Sequence, residues 1–323
     1  MTAQGNLDTL VTVIGGSGFL GRNVVRALAQ RGYRIRVAVR RPDLAYLLQP
    51  LGRVGQIHAV QANLRYPESV AAAARDASVV INLVGILFER GRQRFDIIQG
   101  EGPEIAAQAA TAQGARFIQV SAIGADENST AQYARTKTEG EKRALAVAPG
   151  AIIFRPSVVF GPDDDFFNKF GAMARLLPAL PLVGGGHTRF QPVFVGDVAE
   201  AIAKATDGHA RPGTTYELGG PDVFTFKELM EFVLATTGRK RLLAPLPFWA
   251  ARIQAGFLQF MPKPLLTPDQ VELLHNDNVV SEQAIREGRT FAAFGITPSS
   301  INAIVPSYLW RFRKAGQFEG HAA

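Results

Sequence analysis

The chain has 323 residues, nearly half of them apolar, no cysteine, and a net charge of +7 with a pI near 9.9. That length and apolar content suit one large α/β domain or two coupled lobes, and exclude a disordered or low-complexity protein. The missing thiols exclude disulfides and thiolate metal sites and suit a reducing compartment, while the basic balance favours an anionic partner such as a phosphate-bearing ligand, an acidic protein or a lipid surface.

The first ten residues, "MTAQGNLDTL", have neither the basic start and apolar run of a secretory signal nor the arginine-rich character of a mitochondrial presequence. No apolar stretch reaches the ~20 residues that span a bilayer. These features predict a bacterial cytoplasmic protein or an already processed matrix form. His58, His187, His209, His275 and His321 are scattered, without the short spacings of zinc sites, so no metal site is expected. No nucleic-acid-binding module accompanies the charge, and no nucleic-acid partner is expected.

"LVTVIGGSGFLGRNVVRALAQRGYRIRVAVRR" reads as strand, helix, strand. Val11 to Ile14 form a short apolar run of the kind buried on both faces of a sheet. Gly15, Gly18 and Gly21 follow at the spacing G-x-x-G-x-x-G, then Val24, Val25, Leu28 and Ala29 recur at helical spacing. Gly32 ends that helix, and Ile35 to Val39 make the second strand. A first glycine permits the tight turn, a second lets backbone approach a pyrophosphate, and a third lets the helix pack close to the sheet. The helix start then aims free N–H groups at the phosphates. Gly15, Ser17, Gly18, Phe19, Leu20 and Gly21 are therefore the expected dinucleotide cradle.

At the end of the second strand an acidic residue would meet a free ribose 2′-hydroxyl. This sequence has Arg40 and Arg41 there. A guanidinium forks onto a 2′-phosphate, which a carboxylate would repel, so NADP(H) is expected over NAD(H). Further strands are expected at "QIHAVQA", "SVVINLVG", "ARFIQVSA" and "GAIIFRP", with "TTYELGG" later, and helical patterns lie between them. The alternation predicts an α/β fold, a doubly wound parallel sheet with a smaller, mostly helical C-terminal lobe. Asn63 and Leu64 end the third strand, where an adenine would lie, and Gly85 ends the fourth, keeping the cofactor's path open. The expected division is a dinucleotide-binding domain over 1–155, returning at about 191–220, and a lobe built from 156–190 and 221–323.

"QYARTK" sets Tyr133 and Lys137 at i and i+4 on one helix face, downstream of Ser121 at the end of the fifth strand. With the glycine turn and "RPSVVFGP", these motifs resemble the short-chain dehydrogenase/reductase superfamily in its extended or atypical branch. The resemblance implies Tyr133 as acid/base and Lys137 as the cation that lowers its pKa and bonds the nicotinamide ribose. It also implies that Ser121 orients a substrate carbonyl and that Pro156 lies beside the nicotinamide. The physics is consistent: a tyrosine, pKa about 10 unperturbed, needs a nearby cation to exchange protons near neutrality. The same pair can also hold a ribose with no turnover, and both alternatives stay open.

The acids in "DDDFF", residues 163–167, are expected to solvate a loop and charge a helix start, and Asp197 is expected to cap the following helix. Gly184 to Gly186 are expected to form a loop and not a second phosphate cradle, because the sequence shows no strand leading directly into them.

Past residue 220, "FTFKELMEFVLATTGRKR", "TPDQVELLHNDNVVS" and "PSYLWRFR" give a narrower likeness, running from the glycine turn to Phe318. They resemble the short-chain-dehydrogenase-like accessory subunits of respiratory complex I, the NADH:ubiquinone oxidoreductase. This implies a tightly held NADPH with a structural or regulatory role, little independent turnover, and docking on core subunits at the junction of the peripheral and membrane arms. It also implies a peripheral position on the cytoplasmic face of the bacterial inner membrane, or on the matrix side in a mitochondrion.

In "PLPFWAARIQAGFLQFMPKPLL", Pro247 and Pro262 are placed to open and close a helix of about 14 residues. Arg252, Gly256, Gln259 and Lys263 share one narrow stripe, and Trp249, Ile253, Phe257, Leu258, Phe260 and Met261 make the other sides apolar. From Arg239 through Pro268 there are five basic residues and no acidic one. Such a helix is either the core of the small lobe or a surface covered by a partner or by anionic lipid. Two functions stay open: an NADP(H)-binding accessory subunit of complex I, or a free NADP(H)-dependent oxidoreductase or epimerase using Ser121, Tyr133 and Lys137 on a carbonyl substrate.

Overall fold

A computed structural model describes residues 6–261, 264–314 and 316. Its chain contacts divide it into two units. One comprises 1–156, 196–218 and 282–296, and the other 157–195, 219–281 and 297–323. Residues 282–296 thus join the sheet-bearing unit, although the sequence reading left them with the C-terminal lobe.

The first unit is built on a seven-stranded parallel sheet. Its strands are β1 (Leu10–Ile14), β2 (Arg34–Val39), β3 (Ile57–Gln61), β4 (Val79–Asn82), β5 (Arg116–Val120), β6 (Ile152–Pro156) and the segment Thr215–Leu218. Their spatial order runs from Thr215–Leu218 through β6, β5, β4, β1 and β2 to β3, so the winding reverses between β1 and β4. All residues of β1 and β4 are buried, as continuous apolar runs in a two-faced parallel sheet require.

The connecting helices include α1 (Phe19–Gln30), α2 (Pro67–Ala74), α3 (Gly102–Thr111) and α4 (Gln132–Val147). Helix α3 is alanine-rich on its inner face, where Ala106, Ala107, Ala109 and Ala110 are buried with Val80 and Phe117. Buried polar groups on the sheet are paired: Thr12 Oγ1 donates to the Ala73 carbonyl at 2.9 Å, and Asn82 Nδ2 to Gln119 Oε1 at 2.9 Å.

The second unit has a phenylalanine-rich core containing Phe160, Phe167, Phe190 and Phe226, with Phe160 and Phe167 edge-to-face at 5.8 Å. Asp164 corrects the expectation of a solvated acidic loop. It is 3% exposed, accepts hydrogen bonds from the backbone N–H groups of Gly161 and Asn168, and accepts one from the Tyr308 hydroxyl at 2.6 Å. Burial raises its pKa, and these three donors, together with the Phe167 N–H, oppose the shift. Asp197 lies in the first turn of the helix Val195–Thr206, where its charge favours the helix start. Gly184–Gly186 does not stand apart from a strand, since Ala179–Val183 runs straight into it. The ring of Phe248 fills the space beside Gly184, where a Cβ would meet it at 2.3 Å, leaving no cradle there.

The apolar helix spans Phe248–Leu258, 11 residues, starting behind Pro247 as expected. Its inner face is small: Ala251 and Ala255 are fully buried with Val183 and Val271. Apart from Phe248, which packs inward, its bulky side chains Trp249, Ile253 and Phe257 point away at 70%, 58% and 76% exposure, with Phe260 just beyond the helix at 83%. Among the described residues, the core therefore does not cover them. Arg252 pairs with Glu272 at 3.3 Å, so an acid outside the acid-free stretch offsets that charge. Pro262 and Lys263 lie outside the described residues. Among the described residues no helix is long and apolar enough to cross a membrane.

Candidate functional site

The carboxyl ends of β1 and β4 meet where the winding reverses, the position at which doubly wound sheets open a crevice. Gly15 turns the chain out of β1 with φ +82°, a left-handed conformation that side chains disfavour. Its missing Cβ would stand 3.0 Å from Val84 beyond β4. Gly21 is needed for close approach, because a Cβ there would lie 2.5 Å from the Gly15 carbonyl oxygen. Gly18 caps α1 without a side-chain hydrogen bond, and the first turn carries no acid. Ser17 and Gly18 are exposed while Phe19 and Leu20 are half-buried, so the helix start is open to a ligand. These are the properties of an anion cradle at a helix N-terminus.

Arg40 and Arg41 follow β2, both exposed. Arg41 forks onto Asp43, with Nε to Oδ1 at 3.0 Å and Nη2 to Oδ2 at 2.7 Å. Arg40 has no such partner among the described residues, and it is the guanidinium left available. Asn63 closes its own turn beyond β3, its Oδ1 accepting the Arg65 N–H at 3.1 Å. Leu64 is 3% exposed and packs into the core, so its backbone is the part that can face a ligand.

The other strand ends bring a second group together. Beyond β4, Gly85 is exposed, and a Cβ there would meet Lys137 Nζ at 3.3 Å and Gln99 Oε1 at 3.7 Å. Helix α4 carries Lys137 one turn after Tyr133, whose ring centroid lies 5.7 Å from the ammonium. Phe95 braces that ring edge-on at 5.9 Å. Lys137 is buried, and loss of hydration brings its pKa down to about 8, with Glu141 opposing. It therefore stays largely protonated at neutrality yet exchanges protons within reach of physiological pH.

Ser121 sits one residue past β5, 5% exposed, with its Oγ unpartnered among the described residues. Pro156 ends β6 and is buried, its carbonyl accepting the Ile123 N–H at 2.9 Å. The sequence reading missed Gln99, which shares the space around Gly85 and Lys137. The available signal was a lone amide in the apolar stretch "FDIIQG" before a helix. Among the described residues no cluster of metal-ligating side chains occurs.

A family model described as "NAD dependent epimerase/dehydratase family" matches residues 11–219. Over 320 residues the chain is 35% identical to "NADH dehydrogenase [ubiquinone] 1 alpha subcomplex subunit 9, mitochondrial" of Arabidopsis thaliana, covering 95% of this chain and 79% of that protein. It is 32% identical over 285 residues to a ceramide reductase of Caulobacter vibrioides, covering 86% of this chain and 88% of the relative. The fold is similar to that of an NADPH-dependent quinone oxidoreductase from Escherichia coli complexed with NADPH. That likeness has a TM-score of 0.71 at 18% identity and covers 93% and 99% of the two chains.

Proposed function

The chain belongs to the NAD dependent epimerase/dehydratase family and is similar to subunit 9 proteins of NADH dehydrogenase and to a ceramide reductase, and from that premise we propose that it is a nucleotide-binding accessory subunit of respiratory complex I. The observation that carries the proposal is the ridge of Trp249, Ile253, Phe257 and Phe260, which the described residues leave uncovered. A ridge of that kind marks a protein or membrane interaction site. The C-terminal lobe docks on core subunits at the junction of the peripheral and membrane arms. Residues 239–268 lie against anionic lipid on the cytoplasmic face of a bacterial membrane, or on the matrix side in a mitochondrion.

The site's residues fit a nicotinamide dinucleotide, as the side-chain-free approach at Gly18 and the unpaired Ser121 hydroxyl indicate. In the proposed complex Gly15 to Gly21 hold the pyrophosphate, Arg40 takes a 2′-phosphate and so selects NADP(H), and Tyr133 and Lys137 hold the nicotinamide ribose. The cofactor, when bound, supplies hydride chemistry. Its main role here is to stabilise the fold or report on cofactor status.

A second reading is favoured by the half-exposed Tyr133 beside Lys137 and by the ceramide reductase relative: a free NADP(H)-dependent reductase or epimerase acting on a carbonyl substrate. Gentle solubilisation of membranes carrying the tagged protein, followed by native electrophoresis, separates the two. Comigration with complex I core subunits is expected, and their absence from the tagged material overturns the accessory-subunit reading.

A further inference from the structure

The helices Phe248–Leu258 and Pro268–Leu273 wall a cavity of about 590 Å³, with buried Val271 in its lining. Volumes of that order hold small-molecule ligands. A capping box sets the second helix: Thr267 Oγ1 accepts the Gln270 N–H at 3.2 Å, and Gln270 Oε1 accepts the Thr267 N–H at 3.2 Å. That start turns Val271 into the core and leaves Glu272 and His275, three residues apart, on the cavity wall. From the first helix Arg252 reaches Glu272, Nη1 to Oε1 at 3.3 Å.

The two charges are unequally covered. The Glu272 side chain is 20% exposed and that of Arg252 69%, so the acid is set into the wall and the guanidinium stands at the mouth. They meet at 3.3 Å, without the close fork that Arg41 makes with Asp43. A guanidinium has more N–H donors, and a carboxylate more acceptor positions, than one such contact uses. Phe248 is wedged in place, its ring stacked on His275 at 3.7 Å and filling the space beside Gly184. Trp249 and Ile253 belong both to the lining and to the exposed ridge, where Phe257 continues them at four-residue spacing. The cavity therefore opens onto the ridge.

A ligand that fits brings a cation to Glu272, an anion to Arg252 and hydrocarbon to the ridge. We propose that the cavity is a headgroup site for a phospholipid bearing a primary ammonium, a phosphoethanolamine lipid. Its phosphate pairs with Arg252, its ammonium donates to Glu272, and its acyl chains lie along Trp249, Ile253 and Phe257. A phosphoglycerol headgroup carries net negative charge, which Glu272 repels. A quaternary ammonium has no N–H to donate and is held by a cage of aromatic faces, but His275 already covers the Phe248 ring. The proposal rests on the membrane-facing reading of the ridge given above: anionic lipid attracts the basic stretch as a whole, and this cavity selects among headgroups.

The test uses the full chain and cosedimentation with vesicles of phosphatidylcholine and phosphatidylglycerol. In a second set phosphatidylethanolamine replaces part of the phosphatidylcholine, which keeps the surface charge constant. Calorimetry with dihexanoyl phosphatidylethanolamine and with glycerophosphoethanolamine separates a lipid from a free headgroup. Wild type is expected to bind the ethanolamine-containing vesicles about tenfold more tightly, the scale of one charge-assisted hydrogen bond. Glu272→Gln keeps the side chain's shape and should abolish that preference without lowering binding to the other vesicles. Arg252→Gln changes an exposed position and should weaken the dihexanoyl lipid about tenfold, with ligand-free melting unchanged. A wild type indifferent to ethanolamine, or a preference that survives Glu272→Gln, overturns the site and leaves the membrane reading intact. Undiminished affinity for the dihexanoyl lipid in Arg252→Gln overturns it as well. Glycerophosphoethanolamine bound as tightly as the dihexanoyl lipid overturns the assignment to lipid. If wild type binds neither set of vesicles, the membrane reading fails and the headgroup site with it.

Discussion

Arg155 grips both carboxylate oxygens of Glu141, Nε to Oε1 at 2.9 Å and Nη2 to Oε2 at 2.5 Å, one turn of α4 beyond Lys137. Glu141 is almost fully buried, and the other acid near Arg155, Glu217, stands off at 3.9 Å. Breaking such a pair leaves Arg155 with only the more distant Glu217, so Glu141→Gln should cost about 3 kcal/mol of stability in urea unfolding. The same substitution removes the charge that supports the protonated lysine, and Lys137 should titrate below about 8 in lysine-selective NMR. An unmoved Lys137 titration would show that the two groups are not coupled.

Lys137 also makes stability pH-dependent with a defined sign. Its pKa is about 8 in the folded chain against 10.5 unfolded, so between those values the unfolded state binds the extra proton. Stability from this residue therefore rises with pH across that window and is lowest, and flat, below it. In Lys137→Met that rise should vanish, so the variant's advantage in urea midpoint at pH 7.5 should shrink by pH 10. A constant gap between the two proteins would contradict the assignment.

Arg40 and Arg41 should not be equivalent. Arg41 is already engaged by Asp43, whereas Arg40 is available beside the end of β2. Arg40→Asp is expected to weaken NADPH by tenfold or more and to move preference toward NADH, with roughly 1.4 kcal/mol per decade. Arg41→Asp should have the smaller effect in the same titrations. Equal responses would remove Arg40 from the phosphate-reading role.

The Phe248–Leu258 helix offers a contrast between its two faces. Trp249→Ser with Phe257→Ser changes exposed positions and should alter unfolding stability by no more than about 0.5 kcal/mol. Cosedimentation with anionic vesicles and recovery of complex I should both fall. Ala251→Leu overfills a fully buried position and should lose about 1–3 kcal/mol. Serine variants that sediment as wild type would rule out lipid contact by this ridge.

The sheet and much of the candidate site were legible because their signals are local. The strand, the glycine turn and the α1 pattern occupy one short stretch, and Tyr133 and Lys137 announce their shared face by spacing. Asp164 was misread because the hydroxyl that accounts for its burial belongs to Tyr308, 144 residues away. The strand entering Gly184 was hidden by Pro181. A two-stranded pair tolerates that proline because both strands are edges. Gln99 escaped notice because a π turn breaks the helical period on which the reading depended. The apolar helix was recognised, but only the structure distinguishes its alanine side from its aromatic side.

The bond between Tyr308 and Asp164 also constrains the order of events during synthesis. At about 5–20 residues per second, the ribosome adds Tyr308 roughly 7–30 s after Asp164. The first unit can assemble most of its sheet in that interval, because six of its seven strands precede residue 157. The second unit cannot, because its buried carboxylate still lacks the hydroxyl. A nascent chain stalled before Tyr308 would thus display a finished nucleotide-binding sheet next to an unsealed lobe, the form that chaperones and proteases would meet first.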